Sequence, residues 1–130
     1  IVLFSASLDR DTPVAINTIV RYTNVITNFG NAYNPITGVF TAPRTGGYVF
    51  HIHGLSAPGK GFWICLYHND RCTYKAHGSA AGSWETGGNT VGLRVKSGEK
   101  VYVKSTYQST FLYSDGENLY GTFTGYSVGS

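Results

Sequence analysis

Tyr33-Asn34-Pro35-Ile36-Thr37-Gly38-Val39-Phe40 and, a short gap later, Gly46-Gly47-Tyr48-Val49-Phe50-His51-Ile52 form the stretch that decides the fold. Pro35 and Gly38 punctuate a turn, because proline presets φ and glycine reaches conformations closed to other residues. Beyond it Tyr48, Phe50 and Ile52 alternate with Val49, His51 and His53. A period of two belongs to a strand, here with one strongly apolar face and one amphipathic face. The pattern continues in both directions: Leu3 to Leu8 and a mixed run from Ile19 to Ile26 precede it. Phe62 to Tyr67 with Cys72 to Ala76 reads as a hairpin, and Val91-Gly92-Leu93, Val101 to Val103 and Leu119 to Val128 follow. Turns fall at Arg10-Asp11-Thr12-Pro13 and Ser97-Gly98-Glu99, and a small-residue loop from Gly78 to Gly88 is interrupted by Trp84 and Glu85. About eight to ten short strands are too many for one open sheet of this size, so two packed antiparallel sheets are predicted. No linker or repeat divides residues 1–130, which read as a single domain.

Composition agrees. The chain has 130 residues with 10 Tyr, 7 Phe and 17 Gly, and only 13% are charged. β-branched and aromatic types far outnumber strong helix formers, which excludes a helical bundle. A hydrophobic content of 42% with net charge +3 excludes disorder. The pI is near 8.9, but the basic residues never form a run, so no phosphate-neutralising stripe for nucleic acid is predicted. The longest apolar run, Phe62 to Tyr67, falls far short of the ~20 residues that cross a bilayer, so no membrane insertion is expected. No secretory leader stands at Ile1, and the chain reads as a mature or trimmed domain.

Cys65 and Cys72 flank His68-Asn69-Asp70-Arg71. A turn centred on Asn69-Asp70 sets the thiols diagonally on one face. A turn one residue earlier sets them opposite and easily bridged, and two buried free thiols are the third alternative. A bridge would require an oxidising compartment.

Catalytic motifs fail one by one. Gly54, Gly59 and Lys60 begin a phosphate-loop pattern, yet Gly61 replaces the required hydroxyl and Phe62-Trp63-Ile64 continues as a strand. His51 and His53 point the same way but lack further ligands at zinc spacing. There is no nucleophile elbow and no carboxylate pair of the glycosidase kind. The chain is therefore read as a non-enzyme.

The spacing of Asn28, Tyr33, Phe40, Gly46, Tyr48 and Phe50 resembles the signature of the complement C1q globular-head family, within the C1q/tumour-necrosis-factor superfamily. Tyr22 stands where Phe is usual and Ile52 where Phe or Tyr is usual. Ser97-Gly98-Glu99-Lys100-Val101-Tyr102-Val103, Phe123-Thr124-Gly125-Tyr126 and Phe4-Ser5-Ala6 resemble further family segments, so the likeness spans the chain. It implies an all-β, ten-stranded jelly roll like that of tumour necrosis factor, assembled as a homotrimer with tyrosines suited to subunit contacts. It also implies secretion and lectin-like recognition of glycans or microbial polysaccharides in innate immunity. The alternative it allows is a head that binds a protein receptor, as a cytokine-like, synaptic or matrix organiser.

Calcium is the one cofactor the resemblance allows; none is required. Glu85 falls on an acidic family position and His77 on another, where an imidazole replaces Asp, so that site reads as weakened. Candidate ligand-binding residues follow from the chemistry of sugars, which need aromatic faces and planar polar groups. They are Trp84 and Glu85 in the Gly82-Ser83-Trp84-Glu85-Thr86 loop, Tyr107, Tyr113 and Asp115, with Arg71 and Lys75 for an acidic glycan.

Overall fold

The computed structural model describes residues 1–79 and 82–129; Ala80 and Ala81, within the small-residue loop read from the sequence, lie outside the described residues. Twelve strands occur among the described residues, and no helix. They are β1 (Leu3–Leu8), β2 (Thr12–Val14), β3 (Asn24–Phe29), β4 (Tyr33–Asn34), β5 (Val39–Thr41) and β6 (Gly46–Ser56), then β7 (Phe62–His68), β8 (Arg71–Gly78), β9 (Glu85–Val95), β10 (Lys100–Ser105), β11 (Thr110–Leu112) and β12 (Gly121–Gly129). One five-stranded sheet runs β3-β1-β12-β6-β9 and the other β4-β5-β10-β7-β8; β2 and β11 form a separate two-stranded ribbon. All pairings are antiparallel. The expected ten-stranded, two-sheet sandwich is what the chain forms, with the ribbon added at one end.

Aromatic rings weld the sheets together. Tyr48, Phe50 and Ile52 point inward at 1–2% exposure, as their alternation requires. Phe4 of β1 stacks on Tyr33 of β4 (4.9 Å) and Phe40 of β5 (5.5 Å), and meets the edge of Phe123 of β12 (4.9 Å). Gly125 makes this possible: a Cβ there would lie 2.5 Å from Phe4 and 2.7 Å from Phe50. Gly38 has φ +78°, and a Cβ on it would strike the Val20 carbonyl oxygen at 2.6 Å. The polar signature positions act as straps. The Asn28 amide donates to the Tyr33 carbonyl (2.7 Å) and accepts the Tyr33 N–H (3.2 Å). The Tyr33 hydroxyl donates to the Tyr22 carbonyl (2.7 Å) and accepts the Tyr22 N–H (3.2 Å).

The mixed run from Ile19 to Ile26 divides between the two sheets. Val20 N–H donates to the Val103 carbonyl at 2.8 Å and Ile19 bridges Lys104, so this part borders β10 of one sheet. From Asn24 onward the chain pairs with β1 of the other sheet. Val20 and Tyr22 are fully buried where the chain crosses between the two. Apolar content followed from burial at that crossing, and not from a ladder.

Cys65 and Cys72 form a disulfide with a Cα–Cα distance of 5.9 Å. The turn is the one centred on Asn69-Asp70, since His68 faces Arg71. Cys72 lies opposite Tyr67 and Cys65 opposite Lys75, with a bulge between. The bond therefore joins diagonal positions, the geometry read as the harder of the two.

Among the described residues, one buried side-chain polar atom lacks a partner. The Tyr22 hydroxyl is buried and unbonded, and burial holds its pKa far above the usual phenol value. An unsatisfied buried hydroxyl costs about 1–3 kcal/mol. Tyr22→Phe is expected to preserve the fold and raise the urea midpoint by an amount equivalent to ~1 kcal/mol. A variant less stable than the parent would show that the hydroxyl has a favourable role.

Candidate functional site

At the end of the sandwich where β6 and β8 finish and β9 and β12 begin, three segments far apart in sequence bring aromatic rings together. Trp84 is 53% exposed and meets Tyr113 nearly edge-on, with centroids 4.7 Å apart and planes at 76°. Tyr113 in turn lies 6.0 Å from Tyr120, which is also exposed. The rings thus make a stepped surface with both faces and edges available, and with phenolic hydroxyls among them.

The supporting loops are hydrogen-bonded to the sandwich. Tyr113 N–H donates to the Leu55 carbonyl (3.0 Å), anchoring this strand exit to the end of β6. The buried Ser114 hydroxyl donates to the Leu8 carbonyl and accepts the Tyr120 N–H at 3.2 Å, and Ser114 N–H donates to Asp11 at 3.2 Å. On the other side Glu85 accepts from the Ser79 hydroxyl (2.8 Å) and the Ser79 N–H (3.2 Å), closing the base of the loop that carries Trp84. The Ser79 hydroxyl first, and then its N–H, hold the Glu85 carboxyl below its usual range. Asp115 accepts from Asn118 N–H (2.7 Å) and Glu117 N–H (3.0 Å), and those amides hold its carboxyl below the usual range as well.

The residues singled out in the sequence therefore separate. Trp84 and Tyr113 meet, and Tyr120 joins them. Tyr120 falls within the closing run Leu119 to Val128, but β12 starts at Gly121, which leaves Tyr120 on the preceding loop. Glu85 and Asp115 support the two loops through their own turns. Tyr107 is 78% exposed, with φ 64°, and stands 6.0 Å from Trp63 in a different pair. Arg71 starts β8 and Gly78 ends it, so Arg71 lies roughly 23 Å of strand away from this end, and Lys75 lies between. Both Glu85 oxygens are committed to Ser79, and His77 offers a nitrogen to a cation that takes six to eight oxygens. Among the described residues no group of three or more His, Cys, Asp or Glu is placed to hold a metal ion.

A sequence model of the C1q domain matches residues 3–128. The chain belongs to the C1q domain family. Among solved structures, this C1q domain is similar to the globular domain of zebrafish complement 1qA, with a TM-score of 0.79 at 16% identity over 98% of both chains. It is similar to Eiger TNF from S. frugiperda, with a TM-score of 0.76 at 10% identity over 98% of this chain and 90% of that one. Murine APRIL at pH 5.0 gives a TM-score of 0.65 at 11% identity over 95% and 97%. These likenesses establish a shared C1q/TNF jelly roll. No helix among the described residues is long and apolar enough to cross a membrane.

The Glu85–Ser79 contact has a pH signature. A carboxyl with a depressed folded pKa stabilises the loop above its ordinary value of 4.5, and the contribution disappears as pH falls through the lower folded value. In a Trp63→Phe background, Trp84 fluorescence is expected to stay constant down to the ordinary carboxylate range and to change below it. Adding Glu85→Gln should shift the neutral-pH emission and flatten that acid transition; an unaltered profile would remove Glu85 as the loop's anchor.

Proposed function

We propose that this C1q domain is a secreted, non-enzymatic recognition module of innate immunity that binds glycans of microbial surfaces and works as a homotrimer. The observation that carries the glycan reading is the exposed step of Trp84, Tyr113 and Tyr120. Sugars present C–H faces to aromatic rings and hydroxyls to planar polar groups, and this surface offers both on loops tied to a rigid sandwich. The Cys65–Cys72 disulfide supports an extracellular setting, because such bonds persist in oxidising compartments.

Support for self-association comes from the outward face of the β3-β1-β12-β6-β9 sheet. Pairing sets Phe29, Leu3, Tyr126, Val49 and Gly92 in one row, and Thr27, Ser5, Thr124, His51 and Thr90 in the next. Neither row contains a charged Asp, Glu, Lys or Arg. Phe29 is 61% and Leu3 40% exposed in the single chain. Arg94, opposite Gly47 on β9, also faces outward but lies beyond these rows; two charge-free rows with apolar side chains at one end have the composition of a subunit contact. Trp and Tyr also favour protein interfaces, so a receptor-binding head is the second reading of the aromatic end.

Two measurements test the proposal. On a glycan and bacterial-polysaccharide array, with and without calcium, binding is expected to a defined class, and Trp84→Ala is expected to weaken it about tenfold, equivalent to ~1.4 kcal/mol. Absence of binding to every class would leave the receptor reading in possession of the site. Light scattering should give three times the 14.1 kDa chain mass, and Phe29→Glu should lower it to that of one chain; a monomeric parent at micromolar concentration would refute the trimer.

A further inference from the structure

The outward face of the second sheet has the opposite character. Cys65 of β7 lies opposite Lys75 of β8 and opposite Lys104 of β10, so the two lysines flank it on the same face, roughly 10 Å apart at the usual strand spacing. Lys100, four residues before Lys104, shares their face and stands roughly 13 Å along β10. The intervening row is aromatic. Tyr67 and Tyr102 stack in parallel, with centroids 5.6 Å apart and planes at 2°.

Two of these cations are held in place. The Lys104 ammonium sits 4.4 Å from the centre of the Tyr67 ring, a cation–π contact, and the Lys100 ammonium donates to the Thr41 hydroxyl at 3.3 Å. None of the three lysines is matched by a carboxylate. Among the described residues the salt bridges are Arg10–Asp9 and His68–Glu99. Glu99, the acidic residue beside the β7–β8 turn, is occupied by His68, Asn69 and the Lys96 N–H. Asp70 accepts from the Tyr102 hydroxyl at 3.4 Å. Lysines that are spaced, positioned and unpaired lose less freedom on meeting an anion than mobile ones.

We propose that this β8-β7-β10 face is a docking surface for an acidic polysaccharide, separate from the aromatic end. Charge complementarity selects an anion, and the aromatic geometry selects its class. Tyr102 is 8% exposed, and Lys104 covers Tyr67, so these rings are not stacking platforms for nucleic-acid bases. Three separated cations suit a chain with charges distributed along its sugars better than a dense phosphate backbone, which is bound by neutralising many phosphates together. Arg71, matched with His68 at the hairpin tip, falls on the opposite face from Cys65 and Lys75 and is not part of this set. The inference uses the glycan reading above only in choosing the occupant.

Binding of the wild-type domain to immobilised hyaluronan, which carries one carboxylate per disaccharide, to neutral dextran and to single-stranded DNA over a range of salt concentrations tests it. Hyaluronan should be bound at low salt and released as salt rises; neutral dextran should not be bound through this face. The K75Q/K100Q/K104Q variant should bind hyaluronan at least tenfold more weakly with an unchanged melting temperature, and Trp84→Ala should bind it as wild type does. If the triple variant unfolds, K75Q alone is the readout and a loss of about threefold is expected. Undiminished binding by the folded lysine variants, no binding by wild type, or DNA bound as tightly as hyaluronan would each overturn the proposal. Loss of array binding by Trp84→Ala without loss on hyaluronan separates this surface from the aromatic one.

Discussion

The packing of Phe4 against rings from both sheets is the contact on which the rest of the molecule depends. Its face lies on Tyr33 and Phe40 of one sheet, and its edge partner Phe123 belongs to its own. Buried aromatic pairs contribute about 0.5–1.5 kcal/mol beyond their area, so a connected group of them sets both the separation and the alignment of the layers. Gly125 leaves the space that two of those rings fill. The hydrogen bonds linking Asn28, Tyr33 and Tyr22 then satisfy backbone groups where the chain passes from one sheet to the other.

With the inward faces committed to that core, chemistry is left to two outward faces and two ends. The sheet containing β1 and β12 turns two charge-free rows outward, with Arg94 beyond them on β9, whereas the sheet containing β7 and β10 shows unpaired lysines over stacked tyrosines. The same backbone architecture thus separates a sparsely charged surface from a cationic one. The aromatic end is separate again, because Trp84, Tyr113 and Tyr120 sit on loops whose bases are tied to Ser79, Leu55 and Leu8.

Sandwich architecture was legible in the alternation of Tyr48, Phe50 and Ile52, since a period of two with a buried face leaves a strand little choice of which side to hide. The roles of Asn28 and Tyr33 were legible as spacing and illegible as chemistry: only the fold shows that one amide straps the other's backbone. The mixed run from Ile19 to Ile26 resolves only in the fold, because hydrophobic content reports burial without reporting which sheet supplies the hydrogen bonds. In the candidate site, Trp84 and Tyr113 stood out as aromatics in polar loops. Their contact with Tyr120 did not, since loop–loop distances depend on where β6, β9 and β12 end.

By itself the sequence determined an all-β chain, its principal core faces and its kinship, because those follow from residue type and short-range periodicity. Tertiary structure decided which of the Cys65–Cys72 geometries holds, which loops share an end, and which lysines share a face. Register is the reason: a one-residue bulge or turn shift moves a side chain to the other side of a sheet. Arg71 and Lys75 lie on one strand, yet the bulge near Cys72 assigns them to different surfaces.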